Sequence, residues 1–294
     1  MYKIDFHADD YGISPNNSKR ILELVRNGHL NSFSIIPNMS CYDECISILK
    51  AEWDSLPVKP LISVHINLIG GINLSNTGNQ YPSWGKIFLP SLIPGKNRKN
   101  MFSQITSEIE SQISRVYNDI SSLDSSLKLR LDSHVHTHMI PLVFDATIQA
   151  VENIGLTDRL EYIRLSREPL GMFLTTKGVS GTYSPVNIVK NLILRFLSLR
   201  SSRILTKKHI NHGLLWGLMM SGKMDKDRMS ILLPQMTAYA QKKDSYLEIL
   251  GHPGIVLPEE SLPEFGPDDT VAFFSENRNL EYQAMEHCCP LSSL

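Results

Sequence analysis

Residues 2–28 read YKIDFHADDYGISPNNSKRILELVRNG, and they set the pattern for the whole chain. The apolar run from about Tyr2 to Ala8 has the length and composition of a buried strand. It leads into Asp9-Asp10-Tyr11-Gly12 and then Ser14-Pro15. A serine ahead of a proline marks a helix start, because the hydroxyl can accept an early N–H and proline fits the first helical position. Ile21, Leu22, Leu24 and Val25 supply the apolar face, and Gly28 supplies the stop. One strand feeding one helix is a βα unit, and the same alternation recurs to the far end of the chain. Further strands are expected over 32–36, 61–68, 127–133, 160–165, 214–218 and 246–250. Helices are expected through Cys45–Leu49, over 102–117, from Pro141 to Gly155, from Pro185 through Leu199, and over 276–286. Units of this kind without a break in composition predict an α/β fold with a largely parallel sheet, in one domain spanning 1–294. A closed or nearly closed barrel fits them better than two lobes.

The 294 residues are 42% hydrophobic, enough for a large core. Net charge is −1, and the local basic cluster is confined to Lys96-Asn97-Arg98-Lys99, which argues against nucleic acid as a partner. Cys41, Cys45, Cys288 and Cys289 form neither a C-x-x-C pair set nor a disulfide ladder, and read as reduced thiols. With no leader-like N-terminus and no apolar run near the ~20 residues of a membrane span, a soluble cytoplasmic protein is expected. Two loop-like stretches, 70–100 and 168–183, are long enough to be lids or binding loops.

Polar groups stand in or just after several predicted strands, where barrels place their sites. Asp9 and Asp10 can serve one site only where the backbone bends, since strand neighbours point to opposite faces; Tyr11-Gly12 permits that bend. The alternative is a solvated pair or a helix cap. In Asp132-Ser133-His134-Val135-His136-Thr137-His138, extended geometry puts Asp132 and the three histidines on one face, a set that suits a divalent metal. His65 falls on the opposite strand face from Ile62, Val64, Ile66 and Leu68, alongside Ser63 and Asn67. His252, in Gly251-His252-Pro253-Gly254, is either a turn residue or a general acid/base of suitable pKa. Tyr81, Trp84 and Phe88 either stack on a sugar face or pack their own loop down.

Taken together these residues resemble the YdjC-like family of carbohydrate deacetylases. The resemblance rests on Ala8-Asp9-Asp10-Tyr11-Gly12, Val64-His65-Ile66-Asn67-Leu68, Leu131 to Met139, Ile163-Arg164-Leu165 and Glu248 to Gly254, with Glu108/Gln112 and Arg278/Glu281 in supporting positions. It implies an irregular (β/α) barrel, TIM-barrel-like with six to eight mostly parallel strands. It also implies one divalent ion on Asp10, His65 and His134, magnesium slightly ahead of zinc. Asp9 would be the general base and His252 the acid. His136, His138, Asp132, Asn67, Arg164 and Trp84 would contact substrate or support the metal ligands. The implied reaction removes the N-acetyl group from an amino sugar or acetylated oligosaccharide. The rivals are another barrel metal hydrolase, a phosphoesterase or a deaminase, or a non-catalytic carbohydrate-binding protein. A homodimer is possible on the same analogy. Two features depart from the family pattern: Arg130 just ahead of Leu131, and the divergent 70–100 loop.

Overall fold

A computed structural model describes residues 3–76, 78 and 80–289, with the backbone alone at 267–269. Tyr2, where the first strand was expected to begin, lies outside the described residues.

The strands are β1 (Ile4–Tyr11), β2 (Ser32–Ile35), β3 (Leu61–Ile66), β4 (Leu129–Ser133), β5 (Leu160–Ile163), β6 (Gly213–Trp216) and β7 (Tyr246–Gly251). The helices between them begin with α1 (Pro15–Arg26), α2 (Tyr42–Glu52), α3 (Trp84–Ser91) and α4 (Lys96–Leu123). They continue with α5 (Pro141–Asn153), α6 (Gly171–Thr175), α7 (Pro185–Lys207), α8 (Lys226–Lys242), α9 (Pro267–Phe273) and α10 (Asn277–Cys288). All neighbouring strands pair in parallel, in the order β5-β4-β3-β2-β1-β7-β6. The sheet curls until its edges meet. Tyr162 of β5 bridges Asn211 just ahead of β6, with Asn211 N donating to Glu161 O at 3.0 Å and Ile163 N to Asn211 O at 3.2 Å.

The expected helix starts are confirmed in detail at α1. Ser14 accepts from Asn17 N, and Pro15 takes the first turn. The α4 helix extends well past the expected 102–117, because Met101, Ile105, Ile109, Ile113, Val116 and Ile120 keep one buried stripe along it. The sequence reading gave no helix at α8, where Pro234 interrupts the pattern. The helix forms nonetheless, capped by Asp225 and buried through Met229, Leu232, Met236 and Ala240.

Alternation along the strands sorts the residues into two environments. Phe6, Ala8, Phe33, Ile35, Ile62, Val64, Leu129, Leu131, Leu247 and Ile249 belong to the apolar core. The intervening positions, among them Asp5, His7, Asp9, Ser34, His65, Arg130, Asp132 and Glu248, are equally buried but polar. Several of these bonds cross to strands that are not neighbours: Arg130 of β4 reaches Asp5 of β1 at 2.6 Å, and Tyr162 of β5 reaches Glu248 of β7 at 2.8 Å. The barrel interior is therefore a column of hydrogen-bonded charges. Arg130, the departure noted in the sequence, belongs to its lower end.

The pairing of β6 with β7 depends on a close approach at Gly213, where an added Cβ would lie 2.3 Å from Tyr246 O. We expect Gly213→Ala to force β6 from β7 and cost about 1–3 kcal/mol of stability. A lower urea midpoint measures this; an unchanged midpoint would show that the edge is not strained.

Candidate active site

Both aspartates of β1 reach one site, but the bend that allows it is not at Tyr11-Gly12. The β1–β2 register shifts between Ala8 and Tyr11, and Asp10 itself takes φ 69°, inside the strand. That left-handed conformation costs a non-glycine residue roughly 1–2 kcal/mol, least for Asn and Asp. It turns Asp10 to the same side as Asp9. Gly12, at φ 95°, then makes the turn into α1.

The two oxygens of Asp10 have different surroundings. Oδ2 accepts from Arg278 Nη2 at 2.6 Å. Oδ1 is buried without a hydrogen-bond partner and lies 3.5 Å from His65 Nε2 and 3.4 Å from His134 Nδ1. Ligand atoms roughly 2.0–2.2 Å from a shared ion stand about 3–3.5 Å apart at octahedral or tetrahedral angles. This triad therefore has the spacing and donor chemistry to hold one divalent cation. Burial opposes charge on Asp10, but Arg278 and His134 hold its carboxyl well below the usual range. Behind the triad, His65 Nδ1 meets Asp132 Oδ1 at 2.6 Å, an arrangement that fixes the ring and aims Nε2 at the shared point. Burial alone would lower the His65 pKa; the Asp9 and Asp132 carboxylates outweigh it and push it up to about 9. The pocket thus favours an added positive charge.

The three histidines after β4 do not share an extended face. The strand ends at Ser133, and Val135 and His136 adopt φ 45° and 58° in a tight turn over His134–Met139. Each ring consequently goes its own way. His134 joins Asp10 and His65. His136 Nδ1 contacts Ser166 Oγ at 3.0 Å, while the ring lines the cavity. His138 is fixed from both sides, by Ser133 Oγ at 2.5 Å and Arg164 O at 2.9 Å. Burial pushes His136 well down and His138 to about 4, so both stay neutral.

Arg164 is fully buried beneath the site. Its guanidinium grips Asp9 in two places, at 2.9 and 2.8 Å, donates to Glu248 at 2.5 Å and lies 3.0 Å from Asp132. Ser34 Oγ adds a bond to Asp9 at 3.0 Å. Burial raises the Asp9 pKa, but Arg164 and His65 more than reverse it and keep the carboxylate ionised. His7, Asp9 and Asp132 also cluster tightly enough to suggest a second cation site. Arg164 already neutralises both carboxylates there, so this group is part of the internal ion network.

On the other side of Asp9, His252 Nε2 stands 3.9 Å from Oδ2. Its backbone N donates to Glu281 Oε2 at 2.6 Å, and its Nδ1 is 3.4 Å from the same oxygen. Burial works against a charged His252; Glu281 and the nearby aspartates outweigh it and raise the pKa. Arg278 and Glu281, one turn apart on α10, thus support the metal triad and His252 respectively. The sequence alone assigns the pair no role, and it does not single out His7 or Ser34, although His7 shares a strand face with Asp9.

These groups open into one cavity of about 400 Å³, lined by Asp9, Asp10, His65, His134, His136, His252 and Arg278, with Lys190 of α7 and loop residues 217–222. Its rim comes from the segments after β4, β6 and β7, and among the described residues neither 70–100 nor 168–183 contributes to the lining. Trp84 stacks on Phe88 at 4.7 Å and packs against the core. Asn67 is bound up with Gln112 and Asn38, away from the cavity.

The strand ends of a parallel barrel here carry two carboxylates and a pair of convergent imidazoles, a donor set that could hold a metal ion. The chain belongs to the YdjC-like protein family, whose model matches residues 3–288. It is similar to a chitooligosaccharide deacetylase of Enterobacter sp., 28% identical over 207 residues, which cover 67% of this chain and 75% of the relative. It is also similar to a carbohydrate deacetylase of Brevibacillus brevis, 26% identical over 187 residues, 60% of this chain and 68% of the relative. Among solved structures, a putative cellobiose-phosphate cleavage protein from Enterococcus faecalis shares the fold. Its TM-score is 0.56 at 13% identity, covering 97% of this chain and 90% of that one.

Two outcomes follow from the geometry. Arg278→Ala removes the partner of Asp10 Oδ2, and we expect divalent-metal affinity to fall about 10–100-fold, measured by chelator competition. Unchanged affinity would mean that Asp10 is positioned without it. Glu281→Gln removes the charge that raises the His252 pKa. If His252 acts in its protonated form, the high-pH limb of the rate profile moves to lower pH, because the proton is lost earlier. A limb that stays in place would rule out this pairing.

Proposed function

We propose that the protein is a metal-dependent deacetylase that hydrolyses the N-acetyl group of an amino sugar or acetylated oligosaccharide. The observation that carries this reading is the convergence of Asp10 Oδ1, His65 Nε2 and His134 Nδ1 on one point, with Asp9 and His252 beside it in a single cavity. The family and the activities named for its relatives support the substrate class.

Amide hydrolysis needs an activated water, stabilisation of an oxyanion and a proton for the departing amine. Asp10, His65 and His134 would hold a divalent ion, which when bound would lower the pKa of a water toward about 7 and polarise the carbonyl. Asp9, kept ionised by Arg164, accepts the proton of the attacking water. His252, kept protonated by Glu281, donates to the amine nitrogen as the C–N bond breaks. The two work from neighbouring positions without exchanging roles, because their partners push them to opposite protonation states. His136 and Lys190, facing the cavity, are positioned to meet the acetyl group or the sugar hydroxyls. The family resemblance favours magnesium; two imidazoles suit zinc at least as well.

The reading is tested by acetate release from N-acetylated mono- and oligosaccharides, using chelated protein with single metals added back. Release of phosphate or ammonia instead, from substrates offered alongside, would place it among the other barrel hydrolases. We expect Asp9→Asn to retain metal while losing about 10²–10⁴ in turnover. His134→Ala should lose metal and turnover together. Wild-type turnover in Asp9→Asn would remove Asp9 as the base.

A further inference from the structure

The longest surface helix but one is apolar on the side that faces away from the protein. Along α7, Val186, Val189, Leu192, Ile193, Phe196 and Leu199 are all exposed, Val186 at 71% and Phe196 at 72%. Helical spacing groups them into one solvent-facing stripe, while Asn191, Leu194, Leu197 and Ser198 take the buried side. The charges of this helix have one sign. Arg195, Arg203 and Lys207 lie within it, together with Lys190, which turns into the cavity, and Arg200, which pairs with Asp145 of α5 at 2.8 Å; there is no acidic residue from Pro185 to Lys207.

A second segment has the same chemistry. Leu89, Leu92 and Ile93, at the end of α3, are exposed, Ile93 at 68%. They are followed at once by the Lys96-Asn97-Arg98-Lys99 cluster, and no acidic residue occurs between Asp54 and Glu108. Arg98 donates to Ser91 O at 2.8 Å, which ties the basic cluster to the apolar tip.

Both segments begin near the cavity end of the barrel, and α7 then runs down its flank toward the start of β6. Tyr81, shortly before α3, bridges Ile69 just beyond β3. At the start of α7, Asn187 bonds Met219 O in the cavity-lining loop, and Lys190 lines the cavity itself.

We propose that these two faces dock the protein on an anionic phospholipid bilayer. An apolar stripe with basic residues and no acidic ones complements a lipid interface, where apolar side chains enter the acyl boundary and cations meet headgroups. Two copies of α7 packed on each other would instead bring like charges together. Among the described residues no helix is long and apolar enough to cross a membrane, so the association is peripheral. The proposal does not depend on the reaction.

The test is cosedimentation of the full chain with phosphatidylcholine vesicles, with and without phosphatidylglycerol, at low and high salt. Binding to the anionic vesicles that weakens with salt is expected. Lys96→Gln with Lys99→Gln should lower partitioning about 25-fold, taking about fivefold per basic residue at the surface. Leu192→Asp with Phe196→Asp should lower it about tenfold or more. Circular dichroism and the unfolding midpoint verify that these exposed substitutions leave the fold intact. The proposal is overturned by failure to bind anionic vesicles, by equal binding to neutral ones, or by variants that bind like the wild type. A dimer in solution that Phe196→Asp dissociates, without vesicle binding, would assign the face to a second copy and overturn it equally.

Discussion

The site rests on one buried guanidinium. Arg164 leaves the end of β5 and reaches carboxylates on three other strands: Asp9 on β1, Asp132 on β4 and Glu248 on β7. Removing one partner of a buried pair costs roughly 3–5 kcal/mol, because the charge left behind has no water to replace it. Each strand's position around the barrel is therefore tied to the same planar group. The bidentate grip on Asp9 also fixes the plane of that carboxylate, which a single ammonium could not do.

The same network explains why the pocket wants a cation. Asp9, Asp10, Asp132 and Glu248 are gathered around Arg164 and Arg278, so carboxylates outnumber guanidinium groups two to one. His252 with Glu281 forms a separate, self-balancing pair. The surplus falls where Asp10 Oδ1 and His65 meet, and the rise in the His65 pKa is its signature. A proton on His65 or a divalent ion at Asp10, His65 and His134 relieves the same imbalance. They compete, since a ligating imidazole must be neutral.

The fold was legible in the sequence because its units are local: a strand, a turn and a capped helix lie within some 25 residues, as in 2–28. The convergence of Asp10, His65 and His134 was legible only as residue types near strand ends. What joins them is backbone geometry that composition does not encode. Asp10 occupies a left-handed conformation inside a strand, and His136 does so directly after one, so period-two reasoning misplaced the bend of the first pair and aligned three histidines that in fact diverge. The long 70–100 loop looked like a lid by its Gly and Asn content. Its aromatic residues turn inward to pack, and the cavity rim is built instead by segments after β4, β6 and β7.

The helix α10 shows why the site is a property of the whole barrel. Asp10 comes from the first strand and His252 from the end of the last, and β1 and β7 are hydrogen-bonded neighbours. Pairing alone would leave both side chains free to rotate. Arg278 and Glu281, three residues apart, project from one face of α10 and lock each of them: the first selects which oxygen of Asp10 is left open, the second which charge state His252 favours. Glu281 also accepts from Gly222 N at 2.7 Å, drawing the loop after β6 into the same contact. Asp10, His252 and the rim loop are thus set by a single helical turn. A shift of α10 would disturb all three at once, whereas Asp9, held from below by Arg164, would stay in place.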